Sequence, residues 1–98
     1  MTITRTMDGN AMTVFLEGRM NTESVQRLEK DLDAALETVD RLTVDLKNLT
    51  YISSTGLRVL LSAQRTMVSK GGMVIRNVPP QVMEALTLVG FVNLLNIE

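Results

Sequence analysis

The chain has 98 residues, 45% hydrophobic and 21% charged, an ordinary globular composition with room for one core. Its 10 basic and 11 acidic residues are interspersed and leave a net charge of −1, so no cationic cluster is available to neutralise phosphates, and nucleic acid is a poor partner. Cys and His are both absent, which excludes disulfides, Cys/His zinc sites, Ser-His-Asp triads and Cys-His dyads.

Phe15, Tyr51 and Phe91 are the only aromatics, so Leu, Val, Ile and Met must fill the interior of a small α/β domain spanning residues 1–98. Met1–Asn10 lacks the apolar core of a secretory leader, and no apolar run approaches the roughly 20 residues that span a bilayer. A cytoplasmic protein without membrane insertion is the expectation.

Thr2–Met7 and Ala11–Glu17 read as two strands around the turn signature Asp8-Gly9-Asn10. In the second strand Met12, Val14 and Leu16 share one face, and Phe15 suggests that the other face is covered as well. Gly18 to Asn21 is a connection, with Asn21 or Thr22 able to cap a helix. The apolar positions Val25, Leu28, Leu32, Ala35, Leu36 and Val39 follow in steps of three and four, one stripe of an amphipathic helix.

Arg41–Leu46 is a strand with Leu42, Val44 and Leu46 on one face. The segment Lys47 to Thr55 reads as a loop. Leu57–Val68 is a second helix with Leu57, Leu60, Leu61, Ala63, Met67 and Val68 inside and Arg58, Ser62, Arg65 and Ser69 outside; Lys70-Gly71-Gly72 ends it. Met73–Arg76 is a short strand. Pro79-Pro80 opens a third helix with Val82, Met83, Leu86 and Val89 inside, stopped by Gly90, and Leu94–Ile97 is a last strand. The order ββαβαβαβ implies right-handed crossovers and a mostly parallel sheet behind an N-terminal antiparallel hairpin. Ligands of such sheets meet the loops beyond the strands' carboxyl ends, here Lys47 to Thr55.

That loop carries Ser53-Ser54-Thr55-Gly56, running straight into a helix. One hydroxyl suffices for an N-cap, so three in a row exceed what capping requires. A phosphate here would sit at the positive end of a helix dipole, and Gly56 would keep the backbone open to another molecule. The plain alternative is a serine cap followed by a tightly packed glycine. The seven Met read as core filler rather than an adaptable interface, Arg58, one helical turn after Ser54, reads as a solvated residue within reach of a phosphate there, and Gly71-Gly72 is no phosphate loop.

The run DLKNLTYISSTGLRVLL resembles the signature of the STAS domain, shared by bacterial anti-sigma factor antagonists and sulphate-transporter tails. Gly18-Arg19-Met20-Asn21 resembles the family's Gly-Arg-Leu-Asp connection, and Asn77-Val78-Pro79 to Gly90-Phe91 its third helix and following turn. The resemblance implies a SpoIIAA-like fold and no enzymatic activity or cofactor. It also implies an anti-sigma factor with serine-kinase activity as partner, with a PP2C-type phosphatase as the counterpart.

By the same resemblance Ser54 is the phosphorylated serine, with Ser53 and Thr55 as rival acceptors. Ser53, Ser54, Thr55, Gly56, Arg58 and Asn21 would form the partner-binding set, and Asp45 would match a strand-end aspartate near the phosphosite. Two departures stand out. Ser53 replaces a frequent Asp, and many members carry a further helix after the last strand, so one flank of the sheet is expected to be thinly covered or to lie against a partner. The alternative role is a STAS-domain subunit or scaffold of an ABC-type lipid transporter complex, in which Ser54 is only a cap.

Overall fold

In the computed structural model, which describes all 98 residues, the alternation of Met12, Val14 and Leu16 places one face of β2 (Ala11–Met20) in the core. β1 (Thr2–Asp8) runs antiparallel to it, joined through Gly9 at φ +63°, a left-handed value that costs glycine little. β3 (Arg41–Ile52) and β4 (Met73–Arg76) continue the sheet in parallel, in the order β1-β2-β3-β4. The helices α1 (Thr22–Leu36), α2 (Ser54–Val68) and α3 (Pro80–Leu88) bury their apolar stripes in one cluster with the strands. No helix is long and apolar enough to cross a membrane.

β3 is longer than its alternating apolar residues predict. It continues through Lys47 to Ile52, so most of the expected loop is strand. Beyond Leu46 the apolar spacing changes from two to three (Leu46, Leu49, Ile52), which no regular strand satisfies. Two register shifts against β2 solve this: Phe15 and Glu17 face Asp45 and Asn48, and Gly18 and Arg19 face Leu49 and Tyr51. Each shift inserts an extra residue on β3, and Leu49 and Ile52 stay buried.

Asp45 sits at the first of these bulges. Its side chain is 7% exposed and accepts from the Lys47 N–H at 2.9 Å, Arg76 Nε at 3.1 Å and Asn77 Nδ2 at 2.9 Å. Burial pushes its carboxyl up, but the hydrogen bonds from Lys47, Arg76 and Asn77 outweigh it and hold the group below the ordinary aspartate range. Asn77 takes the left-handed conformation (φ +56°) where the chain leaves β4 for α3. One carboxylate thus ties the β3 bulge to the exit of β4.

The expected last strand reduces to a single bridge between Ile97 and Ile75, with the Ile75 N–H donating to Asn96 O at 2.9 Å. Phe91–Asn93 form a 3-10 turn and the Leu94 N–H closes onto Phe91 O, so too few residues remain to run alongside β4. The order is therefore ββαβαβα followed by a bridge. Val68 and Val89, expected inside, are exposed: Val68 is the last residue of α2, beside the buried Met67, and Val89 is the cap that follows α3. Val59, not expected inside, is buried: α2 packs against α1 as well as β3 and β4, so its buried arc is wider than one stripe.

Candidate partner-docking site at the ends of β2 and β3

β2 and β3 end side by side. Met20 pairs with Ile52, and the Ser53 N–H donates to Met20 O at 2.9 Å. Each strand then turns directly into a helix. After β2 the turn is Asn21, whose Oδ1 accepts the Ser24 N–H at 3.0 Å while Ser24 Oγ accepts the Asn21 N–H at 3.0 Å. This reciprocal capping box satisfies two orphan groups of α1. The Asn21 side chain is therefore occupied within the fold.

After β3 the turn is Ser53. Its extended backbone (φ −83°, ψ 166°) sets it outside α2, its Oγ accepts the Gly56 N–H at 3.1 Å, and its carbonyl accepts the Leu57 N–H at 3.0 Å. Ser53 is the cap. Ser54 is the first helical residue, is exposed, and its hydroxyl makes no hydrogen bond within the protein. Thr55 is half-buried and likewise unbonded. Arg58 is exposed one turn beyond Ser54, and no acidic residue stands in the first turn of α2.

Gly56, expected to leave room for another molecule, is filled from within. A Cβ there would collide with the Met20 sulfur and lie 3.0 Å from Ile52 Cγ1. The glycine lets the first turn of α2 sit directly on the ends of both strands. Asp45, expected near the serine, lies mid-strand and is bound to Lys47, Arg76 and Asn77. β3 extends well past it, which removes it from the Ser53–Gly56 turn.

One feature of this end escaped the sequence reading. The Arg19 guanidinium carbon lies 4.5 Å from the Tyr51 ring centroid, a cation–π pair across the strand ends. Its signal was the lone Tyr between the apolar Leu49 and Ile52, which an uninterrupted loop hid. Arg19 and Tyr51 become neighbours only through the second register shift of β3.

The family profile described as "Mlab, STAS domain" matches residues 3–96. The chain belongs to the STAS domain family. Among curated relatives, a protein of Bordetella bronchiseptica, BtrV, named as a candidate anti-sigma factor antagonist, is 37% identical over 81 residues, covering 81% of this STAS chain and 70% of its own. A STAS-domain containing protein of Pseudomonas aeruginosa is 27% identical over 92 residues, 93% of this chain and 91% of that one.

Solved structures share the fold. The unphosphorylated form of the anti-sigma factor antagonist SpoIIAA superposes with a TM-score of 0.85 at 16% identity, covering 99% of this chain and 88% of that one. An anti-sigma factor antagonist from Mycobacterium paratuberculosis does so at 0.88 and 18%, covering 98% and 83%. In this STAS domain Ser53 does the capping that an Asp would do equally well.

Proposed function

We propose that this STAS domain is an anti-sigma factor antagonist: a binding module that docks an anti-sigma factor with serine-kinase activity and is released by phosphorylation of Ser54. The carrying observation is the division of labour between neighbouring serines. Ser53 holds the helix cap, while the Ser54 hydroxyl is exposed and free at the carboxyl end of β3. A kinase can therefore reach Ser54 without breaking the cap, whereas Ser53 is committed and Thr55 is half-covered. The name carried by the Bordetella relative supports the same reading.

The mechanism follows from electrostatics. A phosphate adds about −1.5 to −2 charges. Within the domain that charge is tolerated, because it stands at the positive end of α2 with no carboxylate in its first turn. At a docked surface it must be desolvated, so the penalty falls on the complex. Recovery of the partner from native extract, with intact-mass measurement of the bound and unbound chain, tests the reading. The unmodified form should be with the partner and a one-phosphate form should be free. Recovery of a transporter ATPase, with no phosphoform, would replace it with the transporter-subunit role.

A further inference from the structure

The first strand is nearly a palindrome. Met1-Thr2-Ile3-Thr4-Arg5-Thr6-Met7 reads the same in both directions about Thr4, apart from the exchange of Ile3 for Arg5. Thr2, Thr4 and Thr6 fall on one side of β1, and Ile3, Arg5 and Met7 on the other. The second side is the one that meets the core: Ile3 lies across from Leu16 and Met7 across from Met12, and Met1 and Ile3 pack against the core cluster. Met7 is left 55% exposed.

This strand is also an open edge. It stands first in the order β1-β2-β3-β4 and pairs with β2 alone, so the backbone groups along its far side have no strand to bond. Natural edges are blunted by a proline, a bulge, a lysine or a covering element. Thr2–Asp8 has no proline or lysine, and its register against β2 runs unbroken for seven residues. Six of those seven residues are exposed, so nothing covers the edge.

We propose that β1 pairs antiparallel with β1 of a second copy, about a two-fold axis through Thr4. Self-complementarity is what a two-fold interface requires, and it singles out a second copy as the occupant of this edge. The register that sets Thr4 against Thr4 also sets Thr2 against Thr6, Met1 against Met7 and Ile3 against Arg5. Every threonine then meets a threonine, a cross-strand pairing that strengthens a sheet. Met7 gains an apolar cover from Met1, and the stem of Arg5 lies along Ile3. A shift by two residues would set Arg5 against Arg5, and an odd shift would turn one copy's core side outward.

Seven residues a side fall short of the roughly 20–30 of a standard interface, so the pair forms weakly and with rising concentration. The two copies run in opposite directions, which places their Ser54 turns at opposite ends of the joined sheet. β2 separates each turn on β3 from the paired edge, so both turns stay open. The pairing stands independently of the role given to Ser54.

The chain has no cysteine, so one introduced thiol reports a neighbouring copy directly. Thr4 faces itself across the axis, at the roughly 4.5–5.5 Å between Cα atoms of paired strands, within reach of a disulfide. Thr4→Cys should oxidise to a covalent dimer about tenfold faster than Thr6→Cys, whose own copy lies four places along, or Thr87→Cys on α3. Sedimentation equilibrium of the parent chain should show the mass rising toward two chains by about 1 mM. Thr2→Lys/Thr6→Lys sets lysine against lysine across the pair at exposed positions, and should stay a single chain with the melt of the parent. Equal oxidation at Thr4, Thr6 and Thr87 overturns the inference, as does a faster rate at Thr6, the mark of another register. A parent chain that stays single at every concentration, or a dimer that survives both lysines, overturns it as well.

Discussion

The Ser53 hydroxyl accepts the Gly56 N–H at 3.1 Å, and this bond is what leaves the next hydroxyl, that of Ser54, without a structural task. Removal of a side-chain cap costs about 1 kcal/mol, whereas an exposed, unbonded hydroxyl at the first helical position contributes little. Ser53→Ala should therefore lower stability by about 1 kcal/mol and Ser54→Ala by less than about 0.5 kcal/mol in urea denaturation. Equal losses, or a larger loss at Ser54, would place the cap on the wrong serine.

Gly56 is fixed by its neighbours inside the domain. A methyl group there meets the side chain of the fully buried Met20 and lies 3.0 Å from Ile52 Cγ1, so both must shift to admit it. Overpacking of this kind costs about 1–3 kcal/mol. Gly56→Ala should show that loss in thermal or urea melts, and Gly56→Val a larger one. A Gly56→Val variant as stable as the parent would contradict the packing described.

Asp45 gives the domain a pH signature. Its carboxyl is raised by burial but lowered further by Lys47, Arg76 and Asn77, leaving the folded-state pKa depressed. The stabilisation it contributes is complete above the unfolded aspartate value of about 3.9 and is lost as pH falls through the lower folded value. Asp45→Asn removes the charge-assisted bonds and should cost about 1–3 kcal/mol at neutral pH. The gap between variant and parent should close as urea midpoints are followed downward from about pH 4. A gap that stays constant to acid would show that the charge of Asp45 contributes nothing.

Much of this architecture is written in short-range pattern. The α1 stripe of Val25, Leu28, Leu32 and Leu36 and the alternation of Met12, Val14 and Leu16 each allow one period only, and both are buried as their spacing implies. The hydroxyl run before Gly56 was equally plain as a helix start. What the pattern conceals is pairing. The spacing Leu46, Leu49, Ile52 looks like the end of a strand until β2 lies beside it and absorbs the extra residues as bulges. Arg19 against Tyr51 is a product of the β2–β3 register and Asp45 against Arg76 of the β3–β4 register, each pair separated by about thirty residues in sequence. The single capping serine, too, depends on backbone angles that a row of three hydroxyls does not specify.

The central claim is that Ser54 switches docking and leaves the fold alone. Titration calorimetry of the recovered anti-sigma partner against the parent chain, Ser54→Ala, Ser54→Asp and the phosphorylated chain tests it most directly, with a melt of each sample beside it. Four melts within about 0.5 kcal/mol of one another are expected, since the added charge sits at a tolerant helix start. Ser54→Ala should bind like the parent, Ser54→Asp more weakly because it carries one charge, and the phosphoform weakest. A desolvation penalty of about 3 kcal/mol corresponds to a roughly 150-fold loss of affinity. Equal affinities for all four would contradict the account, as would a phosphoform that fails to bind only because it has unfolded.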